Sequence, residues 1–190
     1  MRILIADDES IIRMGLQAML REMGHEVFAA RNGREALQMA RSYRPDMAIL
    51  DIKMPYTDGL QAAKTLGHTQ PMPILLLTAY SEQDLIEKAT DLPIHGYLIK
   101  PIEPAAMAAA IAVAQKRFAE TQALAQQAEK LAQTLAMRKL VERAKGKLME
   151  SGLSEEEAYR AMQEYARAQQ RPLMEVAQKV LQCDDLAFLR

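Results

Sequence analysis

Between residues 3 and 100, short apolar runs alternate with amphipathic stretches of helical periodicity. This pattern specifies βα units, because strands buried on both faces read as nearly continuous aliphatic runs and the connecting helices must cover them. Five strands are predicted, at Ile3 to Ala6, His25 to Ala29, Met47 to Leu50, Ile74 to Leu77 and Gly96 to Ile99. Helices are predicted near 10–22, 33–43, 58–66 and 82–90. In the first, Ile12, Leu16, Met19, Leu20 and Met23 repeat at helical spacing and cover one face of a sheet. Asn32-Gly33, Asp58-Gly59 and Pro71-Met72-Pro73 mark connections, and Gly24 suits the residue after the first helix. The fold class is therefore α/β, with five parallel strands doubly wound by helices.

The texture changes after Lys100-Pro101. From Glu103 to Met149 there is a single glycine and no proline after Pro104, amid abundant Ala, Gln, Leu, Lys and Glu, so a long helix is predicted, broken or not. Thr121, Leu124, Ala128, Leu131 and Leu135 are spaced 3, 4, 3, 4, which makes a short coiled-coil seam. A second copy of the chain would cover it in a homodimer; the other reading is packing within one chain. Three short helices follow, at about 137–150, 154–168 and 172–182. Ser154 and Glu157 form a capping box after Gly152, and Pro172 opens the last helix. The expected division is 1–118, a linker helix at 119–136, a three-helix bundle at 137–183 and a loose tail at 184–190.

Composition removes several function classes. The 190 residues carry 24 basic and 25 acidic side chains, a net charge of −1, so no global field draws in nucleic acid or membrane and any such affinity must be local. A single cysteine, Cys183, excludes an internal disulfide, and three isolated histidines give no metal-ligand spacing. The opening run Met1 to Ala6 leads straight into acids, without the apolar stretch of a signal peptide, and no window approaches a membrane span. A soluble, cytoplasmic protein is expected.

The chemistry gathers at strand ends. Asp7 and Asp8 follow the first strand, Asp51 the third, Thr78 the fourth and Lys100 the fifth. In an open α/β sheet, ligands bind in the crevice beyond the carboxyl ends of the strands, so these distant residues are expected to converge. Three carboxylates placed together require a cation. Oxygen donors without Cys or His select a hard ion, which points to Mg²⁺. The chemistry this suggests is phosphoryl transfer onto Asp51, with Lys100 and the metal neutralising phosphoryl oxygens and the Thr78 hydroxyl donating to another. Singly, each residue has a plainer role as a helix cap or surface charge. Together they outweigh it, because five independent strand ends carry the needed groups. A metal-dependent phosphatase would need a further acid or base near the nucleophile, and none stands out.

Residues 1 to about 118 resemble the receiver domain of two-component response regulators, a flavodoxin-like fold. The resemblance rests on Asp7-Asp8, on Asp51-Ile52-Lys53-Met54-Pro55 with Asp58-Gly59, on Leu77-Thr78-Ala79, and on Gly96-Tyr97-Leu98-Ile99-Lys100-Pro101. It implies Asp51 as phosphoacceptor, Asp7, Asp8 and Asp51 around Mg²⁺, Thr78 and Lys100 as phosphate contacts, Thr78 and Tyr97 as switch residues, and a cis peptide before Pro101. It also implies a sensor histidine kinase as donor and no catalysis beyond gain and loss of the domain's own phosphoryl group.

Further on, Arg138, Lys139, Arg143, Lys145 and Lys147 stand against Glu142 alone, the densest basic run in the chain. On a helix Met137, Leu140, Val141, Ala144 and Leu148 form the buried face, while Lys139, Arg143 and Lys147 align on an exposed one and Lys145 flanks it. The plain reading is a solvated face; the scarcity of acidic neighbours favours a phosphate-binding surface. The segments Val141 to Met149, Leu153 to Tyr159 and Val176-Ala177 resemble ANTAR RNA-binding antitermination domains, over about 134–183. Tyr165-Ala166-Arg167 departs from the family's usual Ala-Met, and Arg167 either costs packing there or adds to the basic surface. The resemblance implies binding of structured hairpin RNA near terminators. A DNA-binding regulator and a receiver-linked protein-binding adaptor stand as alternatives.

Overall fold

A computed structural model describes residues 1–79 and 92–183. The helix expected at 82–90 and the tail at 184–190 lie outside the described residues. The chain divides into two compact units, Met1–Gln122 and Ala123–Arg190.

The first unit is built on five strands: β1 (Arg2–Ala6), β2 (Glu26–Ala30), β3 (Met47–Asp51), β4 (Ile74–Thr78) and β5 (Gly96–Ile99). All pairings are parallel, in the order β2-β1-β3-β4-β5. Helices α1 (Ser10–Glu22), α2 (Gly33–Tyr43) and α3 (Gly59–Thr69) connect them. One face of the sheet joins Leu4, Leu50 and Leu76 to Ala36, Ala40, Ala62 and Leu66 of α2 and α3. The other joins Ile3, Ile5, Ile49 and Leu75 to Leu16 and Leu20 of α1 and to Met107, Ile111 and Ala114. Each buried Leu, Ile or Met contributes roughly 1.5–3 kcal/mol, so the two layers dominate the stability of this unit.

Strand β2 begins one residue later than the sequence suggests, for a local reason. Gly24, with φ of 83°, closes α1, its N–H bonding to the carbonyl of Arg21 while the His25 N–H reaches that of Leu20. This paired motif commits His25 to the helix end rather than to the strand. Helix α3 outlasts its expected end at 66, since nothing breaks it before Pro71; the Thr65 and Thr69 hydroxyls donate back to the carbonyls of Gln61 and Thr65.

Helix α4 runs unbroken over Pro104–Glu150. The separate helix expected at 137–150 is its C-terminal part: Gly146 alone costs a helix about 1 kcal/mol, too little to interrupt one this rich in good helix formers. Gly152, with φ of 97°, ends the helix and two backbone bonds close it. Two further helices complete the second unit, α5 (Glu155–Ala168) and α6 (Leu173–Gln182). Ser154 and Glu157 form the expected capping box, and Pro172 occupies the N-cap of α6. Val141, Ala144 and Leu148 of α4 pack on Ala158, Met162 and Ala166 of α5 and on Val176, Ala177 and Val180 of α6. Arg167 is exposed and costs no packing. Leu124, Leu131 and Leu135 are 67%, 61% and 49% exposed, so no part of the described chain covers the seam.

Candidate functional site

Parallel pairing brings the strand ends together. Asp51 is the last residue of β3 and lies opposite Leu77, while Thr78 ends β4 opposite Ile99. Lys100 follows at once and is held to the edge by its N–H bond to the Thr78 carbonyl, 2.9 Å. Asp7 follows β1, its N–H bonded to the Ala30 carbonyl.

Asp7 is fully buried and Asp51 nearly so, while Asp8 is exposed. Carboxylate oxygens of the three lie within 4.8 Å of one another. The Lys100 ammonium is 2.8 Å from Oδ2 of Asp7 and 2.8 Å from Oδ1 of Asp51. Burial works against its charge, but hydrogen bonds to Asp51 and then Asp7 outweigh it, holding Lys100 above the ordinary lysine range. The other oxygen of Asp7 accepts the Glu9 N–H at 2.9 Å. The backbone beneath is fixed by Arg13, whose guanidinium donates to the carbonyls of Asp7 and Asp8. Arg13 is a contributor that charge pairing in the sequence did not reveal, because its partners are main-chain oxygens.

From behind, Gly59 meets the phosphoryl-site strand directly. Its N–H bonds to the Ile52 carbonyl, and a Cβ there would overlap the carbonyl oxygen of Asp51. Asp58 caps α3 by accepting the Gln61 N–H. A cleft of about 420 Å³ opens beside the carboxylates, lined by Asp8, Lys53, Met54, Pro55, Asp58 and Leu60. Thr78 is buried, its hydroxyl donating to the Ala79 carbonyl. Tyr97 is half exposed on β5. The peptide between Lys100 and Pro101 is cis.

The basic run on α4 divides differently from the expectation. Lys139 and Arg143 are exposed. Lys145, expected on the binding surface, is buried: its ammonium lies 2.6 Å from Glu155 and 2.9 Å from Glu142. Those bonds, Glu155 first, raise its pKa, and the pairing lowers that of Glu155. Lys147 is half-buried and donates to the carbonyls of Leu181 and Cys183, the orphan acceptors at the end of α6. Two of the four expected contacts thus hold the bundle together.

Comparison with known proteins agrees with this geometry. Residues 3–112 match the response regulator receiver domain, and residues 129–181 match the ANTAR domain. The transcriptional regulatory protein PdtaR of Mycobacterium tuberculosis is 42% identical over 183 residues, spanning 95% of this chain and 89% of that protein. Among solved structures, the receiver domain of AraT, a response regulator from Geobacillus stearothermophilus, aligns with a TM-score of 0.57 at 34% identity, covering 64% of this chain and 97% of that one. A receiver domain protein from Clostridium thermocellum aligns with a TM-score of 0.58 at 29% identity, over 61% of this chain and 94% of that one. With its strand-end carboxylates, its bridging lysine and its helical C-terminal unit, the chain belongs to the response regulators and joins a receiver domain to an ANTAR domain.

Proposed function

We propose that this chain is a phosphorylation-controlled, RNA-binding regulator that relieves transcription termination. The observation that carries the first half is the Lys100 bridge between Asp51 and Asp7, beside Asp8. Asp51 is the phosphoacceptor. One of its carboxylate oxygens attacks the phosphorus of a phosphohistidine on a sensor kinase; the O–P bond forms, the P–N bond breaks, and the imidazole nitrogen keeps the electron pair and takes up a proton. Lys100 supplies fixed positive charge where phosphoryl oxygens arrive, and Asp7, held by the Glu9 N–H, keeps that ammonium in place. The all-oxygen donor set of Asp7, Asp8 and Asp51 fits Mg²⁺, which when bound neutralises charge on the transferring group. Thr78 and Tyr97 act as the switch, and the domain's chemistry ends with its own phosphoryl group.

The output is the helical unit at 137–183, joined through a linker at 119–136 to the receiver at 1–118. Its exposed Lys139 and Arg143 contact the phosphates of hairpin RNA near terminators. Phosphorylation favours a homodimer through Leu124, Ala128, Leu131 and Leu135, so that two weak RNA-binding units act together and gain affinity through effective concentration. Among the described residues no helix is long and apolar enough to cross a membrane, and the proposed site of action is the cytoplasm.

Two measurements test this reading. A small acyl-phosphate donor with magnesium is expected to label the wild type at Asp51. RNA recovered with the protein from cells is expected to contain hairpins near terminators; a preference for duplex DNA would replace the RNA reading with a DNA-binding one, and a nucleic-acid-free protein with an adaptor.

A further inference from the structure

Between α5 and α6 lies a cleft of about 500 Å³, in the range of small-ligand sites. Its lining is not that of a packing defect. Tyr165 and Gln169 come from α5, Arg171 from the connecting turn, and Gln178 and Lys179 from α6. The acid in the lining, Glu175, is paired with Arg171 at 3.6 Å. The Lys179 ammonium donates to the Tyr165 hydroxyl at 2.6 Å, which holds the ring by its edge. Tyr165 also belongs to the segment in which the sequence departs from the usual ANTAR pattern, so the ring is a particular of this chain.

We infer that this cleft receives an unpaired base from the loop of the bound RNA. The inference rests on the reading of the second unit as RNA-binding and adds where the loop is read. Sequence-specific recognition of RNA falls mainly on single-stranded loops, whose bases stack on aromatic rings and bond through their edges. An aromatic ring held in place supplies the stacking platform. Gln169 and Gln178, both exposed, carry paired donors and acceptors of the kind that match base edges. Arg171 stands at the rim where the flanking phosphate passes. The α4 surface lacks these parts: with Lys145 and Lys147 committed internally, Lys139 and Arg143 can hold a backbone but carry no base-reading chemistry.

The test uses the full chain and a labelled hairpin RNA pool with a fixed stem and a randomised loop. Tyr165→Leu is expected to weaken binding about tenfold or more, because base stacking is lost. Tyr165→Phe keeps the ring and is expected to bind close to wild type. Gln178→Ala, at an exposed position that leaves folding intact, is expected to broaden the set of loops selected. The stem closed as a continuous duplex is expected to bind all variants alike. Wild-type affinity and unchanged loop selection in both Tyr165→Leu and Gln178→Ala would overturn the cleft assignment while leaving RNA binding in place. A wild type that ignores the whole pool would overturn the RNA reading itself, and displacement of the hairpin by free nucleoside monophosphates would assign the cleft to mononucleotides instead.

Discussion

The ammonium of Lys100 lies 2.8 Å from Asp51 and equally close to Asp7, so one cation ties the ends of β1, β3 and β5. Lys100→Ala is therefore expected to slow labelling of the receiver by a small phosphodonor by about 10²-fold, the usual effect of removing one fixed electrostatic contact. Asp51→Asn removes the nucleophile and is expected to abolish labelling with the fold intact. Asp8→Asn is expected to raise the magnesium concentration needed for half-maximal labelling. Undiminished labelling of Asp51→Asn would place the phosphoryl group elsewhere.

Lys145 and Arg143 are two residues apart and are expected to behave oppositely. Lys145→Gln breaks the contacts to Glu155 and Glu142, so it lowers the melting temperature of the second unit and leaves RNA affinity per folded molecule unchanged. Arg143→Glu leaves stability alone, weakens RNA binding and flattens the dependence of log affinity on log salt by roughly one. Leu148→Ala, at a buried position of the same helix, calibrates the stability measurement with a loss of about 2–5 kcal/mol. Thermal melts and salt titrations on the same samples separate the three.

The seam on α4 gives a third expectation. Leu131→Glu places a charge among Leu124, Ala128 and Leu135 and is expected to shift the phosphorylated protein to monomer in sedimentation experiments. A phosphorylated wild type that sediments as a monomer would remove the dimer from the mechanism.

Histidine 95 makes the first unit sensitive to acid. Its Nδ1 accepts the Ile74 N–H at 3.1 Å at the start of the β4–β5 pairing, which requires the neutral ring. Burial, and then repulsion from Arg117, hold its pKa below 6.5 in the folded state. As pH falls, the unfolded chain takes up the proton first, so the stabilisation is complete above about 6.5 and is lost as pH drops through the folded value. His95→Asn, which keeps an acceptor but does not titrate, is expected to flatten the decline in denaturant midpoint below that pH. His25 shifts in the same direction and titrates in both proteins, so the difference between them isolates His95.

How far the sequence speaks depends on which element supplies a residue's partners. The strand-end carboxylates were legible because parallel topology alone carries Asp7, Asp51 and Lys100 to one edge, whatever the details of packing. The displaced start of β2 was not, since His25 reads as a strand residue until the bonds that end α1 are seen. The fates of Lys145 and Lys147 were hidden for a different reason. A helical wheel gives the direction of a side chain from its own axis, but Glu155 and the last carbonyls of α6 belong to helices that fold against it. The run looked poor in acids along the chain and is not so in space.

The contact behind Asp51 fixes what kinds of damage the site can suffer. Because the carbonyl of Asp51 abuts the α-carbon of Gly59, even a methyl group there has no room except by moving the aspartate. Gly59→Ala would leave every acid, the lysine and the threonine chemically untouched and still shift the carboxylate relative to the Lys100 ammonium. Here an inert hydrocarbon substituent acts as a lesion of charge geometry, so a silent receiver need not have lost any of its reactive groups.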